Sequence, residues 1–144
     1  MKKNELERLQ KEEIDILNEI VRICDKNNIP YFLAAGTLLG AVRHSGFIPW
    51  DDDIDLFMLR DDYNKFIKCA INEINDNYFL QCHDTDKYYY SSFIKVRKNN
   101  TLMIEEENEN RKIHRGIWVD IFPLDYVKDD SKILKFKVFL SKLL

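Results

Sequence analysis

"AAGTLLGAVRHSGFIPWDDDIDL", residues 34–56, decides the fold. It opens at the end of an apolar run, "YFLAA" (31–35), which reads as a short buried strand. The chain then passes Gly36 and Thr37 into a helical pattern through Leu38, Leu39, Ala41 and Val42. "HSGFIP" (44–49), punctuated by Gly46 and Pro49, is a turn. "DIDLFM" (53–58) is a second strand whose successive side chains face opposite ways. Asp53 and Asp55 therefore share one face, and Ile54 and Leu56 the other. Strand, glycine-led helix, turn and acid-mouthed strand predict an α/β (α+β) fold, a small mixed sheet flanked by helices.

Upstream, Leu6, Leu9, Ile16, Leu17, Ile20, Ile23 and Cys24 recur at helical spacing. This helix ends at "DKNNIP", where Asn27, Asn28 and Pro30 are stop signals. Downstream, Tyr63, Phe66, Ile67, Ala70, Ile71 and Ile74 mark another helix, with Asp61 or Asp62 suited to its N-terminal cap. Residues 78–83, 88–98, 101–106 and 116–124 read as strands joined by polar loops, and 132–144 as a basic, apolar helix. No repeat or low-complexity tract divides the chain, so its 144 residues predict one domain.

The totals narrow the function. A net charge of -3 gives no overall pull toward nucleic acid, so a phosphate-bearing partner must be recognised locally. Cys24, Cys69 and Cys82 are widely spaced, with no pairing suited to zinc or redox work, and read as core residues of a reducing compartment. The N-terminus lacks the apolar segment of a secretory signal, and no run is long enough to span a bilayer. These features predict a cytoplasmic protein. The four lysines Lys132, Lys135, Lys137 and Lys142 leave two roles open for the last helix: peripheral contact with anionic lipid, or packing on protein.

The chemistry concentrates in the opening stretch. A helix N-terminus presents unpaired N–H groups and the positive end of its dipole to an anion. Gly36 lets a phosphate approach the backbone, and Thr37 adds a hydroxyl donor. Asp53 and Asp55 lie roughly 6.5 Å apart by strand rise and repel by about 2 to 3 kcal/mol at an effective dielectric near ~20. A divalent cation, Mg2+ or Mn2+, reverses that sign and also shields the acids from a diphosphate. An EF-hand beginning at Asp51 is excluded, because Leu56 stands where glycine is required and Asp62 where glutamate is. Asp120, inside the apolar "GIWVDIFPL", would be costly unpaired and is the candidate third carboxylate; Asp125 falls in a loop.

Most of the surrounding residues allow more than one reading. Asp51 and Asp52 cap, pair with Arg43, or line the site. Arg43 and His44 contact a diphosphate or lie on the surface. Trp50 stacks on a base or a donor head group, or packs the turn. Lys95 and Arg97 share a strand face and either meet the diphosphate or lie on an exposed face. "EEENEN" (105–110) is a solvated loop.

"GTLLGAVRHSGFIPWDDDIDL" with "GIWVDIFPLD" resembles the LicD family, relatives of the fukutin-related proteins within the nucleotidyltransferase fold. The resemblance extends over about residues 14–125 and implies a phosphotransferase. Such an enzyme moves phosphocholine or a polyol phosphate from a CDP-activated alcohol donor to a sugar hydroxyl of a glycan or lipid-linked glycan acceptor. By that resemblance Gly36 and Thr37 match the phosphate-loop positions, Asp53 and Asp55 the metal-binding pair, and Asp120 the third carboxylate. Family members continue past "DIFPLD", which implies a minimal or truncated member here. The alternatives are a nucleotidyltransferase that releases pyrophosphate from a triphosphate, and a non-catalytic module of the same fold.

Overall fold

The computed structural model describes residues 2–104 and 110–127. Helix α1, Lys3–Asn27, ends where Asn28 adopts a left-handed φ of 50°, as the stop signals require. Strand β1, Phe32–Leu33, leads into helix α2, Ala35–His44. Strand β2, Asp55–Leu59, is followed directly by helix α3, Arg60–Glu73. Strands β3, Tyr78–Gln81, β4, Ile94–Lys98, and β5, Trp118–Leu124, complete the described elements.

The strands form one mixed sheet in the order β1-β2-β5-β4-β3. Only the central β2–β5 pair is parallel; the others are antiparallel. Alternation gives the sheet two unlike faces. One carries Leu56, Met58, Leu80, Ile94, Val96, Val119 and Ile121, packed against Ile16, Ile20 and Ile23 of α1 and Tyr63, Phe66 and Ala70 of α3. Burying these large side chains stabilises by roughly 1.5 to 3 kcal/mol each. The other face carries Asp55, Lys95, Arg97, Trp118 and Asp120, and its chemistry sets it apart.

Several boundaries differ from the sequence reading. Residues 88–93 do not extend β4: Asp86 turns the chain, its carbonyl accepting from Tyr89 N and its carboxylate from Tyr88 N. Residues 101–104 form no strand either. Asn100 takes a left-handed φ of 61°, and the Thr101 hydroxyl donates to Lys98 O and accepts from Ile117 N, which spends the local bonds on a turn. Asp61 and Asp62 sit in the first turn of α3 rather than at its cap. Cys24 and Cys82 are buried in the core, with Cys69 packed beside it, and all are free thiols. The expected helix over 132–144 and most of the acidic loop at 105–110 lie outside the described residues. Among those described, no helix is long and apolar enough to cross a membrane.

Candidate functional site

Parallel pairing sets Asp55 of β2 beside Asp120 of β5, and antiparallel pairing sets Lys95 of β4 on the other side of Asp120. Asp120 N donates to Ile54 O at 3.0 Å, which fixes the start of this register. The three side chains therefore stand in a row across the polar face. Lys95 Nζ lies 2.8 Å from Asp120 Oδ1 and 3.1 Å from Oδ2, and Trp118 Nε1 donates to Oδ2 at 3.2 Å. The Lys95 ammonium also lies 4.3 Å from the Trp118 ring centroid, a desolvated cation-π contact. Oδ1 itself is buried, and the Lys95 ammonium at 2.8 Å is its partner.

Helix α2 is tied to the same spot. Ala34 N donates to Asp55 O at 2.9 Å, and Asp55 N donates to the Thr37 hydroxyl at 2.8 Å, leaving that hydroxyl's own proton free to donate. No side chain caps the first turn of α2, so its leading N–H groups keep the anion-binding character expected of a helix start. Ala35 enters it with a left-handed φ of 42°, a conformation that costs a non-glycine residue on the order of 1 to 3 kcal/mol. Gly36 does not have a positive φ; it is required for another reason. A Cβ there would sit 2.6 Å from Asp51 Oδ2, so the glycine admits the carboxylate of the following loop.

That loop gathers the acids. Carboxylate oxygens of Asp51, Asp52 and Asp53 all lie within 4.8 Å of one another. Asp55 is not in this tight group, although Asp53, Asp51 and Asp120 are close enough to act on it. Burial pushes the Asp55 carboxyl up to about 6, with the charges of Asp53, Asp120 and Asp51 adding and Lys95 opposing. Asp53 is raised by burial and then by Asp51 and Asp52, Asp51 by burial and then Asp52, and Asp120 by burial against the pull of Lys95. All these shifts disfavour the charged form. The donors are hard oxygens, and Asp51 Oδ2 is buried without a hydrogen bond. Such a set suits an oxygen-preferring divalent cation and not zinc in a sulfur or imidazole cage.

The sequence reading placed further residues here with mixed outcome. Lys95 stands at the site. Arg97 is 1% exposed, donates to Gln81 Oε1 and Gly116 O and packs over Trp118, while its charge still reaches Asp120. The alternation that put it beside Lys95 is right, yet two residues along the strand carry it away from the mouth and under the loop that holds Gly116. Arg43 and His44 occupy the last turn of α2, exposed, roughly 10 Å along the helix from Gly36 at its rise of about 1.5 Å per residue. Lys95, rather than Arg43, supplies the positive charge felt by Asp53 and Asp55. Trp50 is 77% exposed beside the acidic loop, so its ring does not pack the turn. Asp125 pairs with Arg60 at 2.7 Å on the surface.

One residue was missed. Glu13 sits in the buried stripe of α1 and is 2% exposed. Burial, with the charges of Asp53, Asp52, Asp51 and Asp120, pushes its carboxyl up to about 9. The signal was legible: position 13 falls between Leu9 and Ile16 in the apolar repeat, where a carboxylate is out of place.

The sequence model of the family described as LicD/FKTN/FKRP, nucleotidyltransferase domain, matches residues 28–140. The lipopolysaccharide cholinephosphotransferase LicD of Haemophilus influenzae is 34% identical over 135 residues, 93% of this chain and 49% of that protein. An uncharacterized protein of Rickettsia prowazekii is 47% identical over 47 residues, 33% of this chain and 18% of its own. The human ribitol 5-phosphate transferase FKRP is 42% identical over 43 residues, 30% of this chain and 9% of its own. The chain thus spans about half the length of the cholinephosphotransferase and smaller shares of the other two.

Proposed function

We infer a function from one premise: the chain belongs to the LicD/FKTN/FKRP nucleotidyltransferase-domain family. The proposed reaction is metal-dependent transfer of a phospho-alcohol, phosphocholine or a polyol phosphate, from a CDP-activated donor to a sugar hydroxyl of a glycan. The names of two relatives, a cholinephosphotransferase and a ribitol 5-phosphate transferase, support that class of transferred group. The observation that carries the reading is the in-register pair Asp55 and Asp120, set beside the uncapped start of α2 with the Asp51–Asp53 loop against Gly36.

In this reading Asp53 and Asp55 hold Mg2+ or Mn2+, with Asp51, Asp52 and Asp120 as the neighbouring oxygen donors. The bound ion supplies positive charge to the phosphate oxygens and so stabilises the transition state of phosphoryl transfer. The leading amides of α2 and the Thr37 hydroxyl receive the donor's diphosphate. Lys95 keeps Asp120 ionised against the cost of its burial. The Asp120 carboxylate, ion-paired to Lys95, takes the proton of the attacking sugar hydroxyl. The new bond joins that oxygen to the donor's phosphoalcohol phosphorus, the bond to the second phosphate breaks, and CMP leaves. The exposed ring of Trp50 offers a stacking surface for the base or a cation-π face for a choline head group.

Product analysis tests this. With a CDP-activated alcohol, a glycan acceptor and Mg2+, the reading predicts CMP release that depends on the acceptor. Pyrophosphate release from a nucleoside triphosphate, without CMP from any CDP-alcohol, would instead mark a nucleotidyltransferase.

A further inference from the structure

Glu13 is an acid in the wrong company. It occupies the face of α1 that otherwise presents Leu9, Ile16 and Ile20 to the core, and its Oε2 is sealed from solvent without a hydrogen bond. Among the described residues it makes no ion pair with a lysine or arginine, whereas Glu12, one position earlier, pairs with Lys98. A stripe position that needed only packing would be filled by leucine or isoleucine, and a buried carboxylate without a partner is among the costliest groups a core can hold.

The position of α1 shows what Glu13 faces. Gln10, three residues earlier and so on the same side of the helix, donates from Nε2 to Asp51 O at 2.8 Å. This bond docks α1 on the acidic loop, one helical turn before Glu13. The charges of Asp53, Asp52, Asp51 and Asp120 all act on Glu13. One further oxygen in the same region, Asp51 Oδ2, is likewise buried without a hydrogen bond. Orphaned acidic oxygens thus come from two separate parts of the chain, α1 and the loop before β2.

We propose that Glu13 is an additional carboxylate of the divalent-cation site, a positioning residue whose charge sets the affinity of that site for an oxygen-preferring dication. It does not belong to the tight trio, whose oxygens lie within 4.8 Å of one another, and it acts on the ion through its charge. The inference rests on the metal-dependent reading above and extends it to a residue on another element. A dication gains far more from one extra negative charge in a partly desolvated site than a monovalent ion does. Glu13 therefore favours Mg2+ and Mn2+ over Na+ and K+.

The test is Mn2+ binding, counted as free ion by electron paramagnetic resonance at pH 8, with wild type, Glu13→Gln and Glu13→Met. Both variants keep the length of the side chain and remove its charge. The proposal predicts that each folds at least as well as wild type without cation, as read by urea midpoint. It predicts Mn2+ affinity lowered at least tenfold in each, and stronger competition by Na+. Unchanged affinity and unchanged competition in a folded variant would overturn the role of Glu13 while leaving the metal-dependent reading in place. Failure of wild type itself to bind Mn2+ would overturn both. Loss of folding in both variants would make Glu13 a structural residue and overturn the inference as well.

Discussion

Lys95 and Asp120 show how one residue decides the behaviour of another. Lys95 is 5% exposed and Asp120 9% exposed, so neither charge is solvated, and each exists on the terms the other sets. Removing one partner of a buried pair strands the other, which typically costs about 3 to 5 kcal/mol. Lys95→Met should therefore lower stability by about that much, measured by urea denaturation, and should abolish transfer. Asp120→Asn with Lys95→Met should recover part of the stability and none of the activity. Glu13 behaves in the opposite sense. Its carboxyl is raised to about 9, so at neutral pH the cation-free fold carries the cost of holding a proton or a naked charge. Glu13→Gln should raise cation-free stability at pH 7 by about 1 to 3 kcal/mol. An unchanged or lower urea midpoint would contradict that account.

Among the elements, α2 is the one whose form serves the site more than the core. Gly40 is its only fully buried residue, its entry is strained at Ala35, and Leu38, Leu39 and Val42 remain exposed. Gly36→Ala tests its purpose. The new Cβ would meet Asp51 Oδ2, the mobile end of a side chain, so the fold should survive with less than about 1 kcal/mol lost while the carboxylate is displaced. Donor binding should fall at least tenfold by calorimetry; equal losses in stability and binding would point to a packing role alone. Legibility varied by element for physical reasons. The amphipathic stripes of α1 and α3 and the alternation of β2 and β5 were readable, because each periodic pattern was longer than the noise around it. Residues 88–93 and 101–104 were not, because side-chain bonds from Asp86 and Thr101 competed with a strand and won. At the site, Asp55 and Asp120 could be named from their apolar neighbours, but their mutual register and the approach of Asp51 to Gly36 are tertiary facts. Arg97 shows a similar limit: period two gives the face of a side chain, not what covers it. Glu13 is legible in the sequence as a break in the apolar stripe of α1.

At the scale of the whole molecule, the sheet separates two tasks: its apolar face holds the fold and its polar face collects acids that oppose it. Asp55 and Glu13 bind protons more tightly folded than unfolded, about 6 against 3.8 and about 9 against 4.5. Their contributions are complete at low pH and are lost as pH rises through those folded values. His114, lowered by burial, works the other way below about 6.5. The clean window is therefore pH 7 to about 8.5, where Glu13 dominates. There the cation-free Tm should fall with pH, and both saturating Mg2+ and Glu13→Gln should flatten the slope. A cation-free Tm that rises over that range would contradict the assignment. The most direct measurement of the central idea is an anomalous difference map from crystals grown with Mn2+ and a CDP-alcohol. The account predicts a single strong Mn2+ peak bounded by the carboxylates of Asp53, Asp55 and Asp120, with the donor's diphosphate between that ion and the first turn of α2. Donor density at the helix start with no ion beside those aspartates, or an ion held elsewhere, would contradict it.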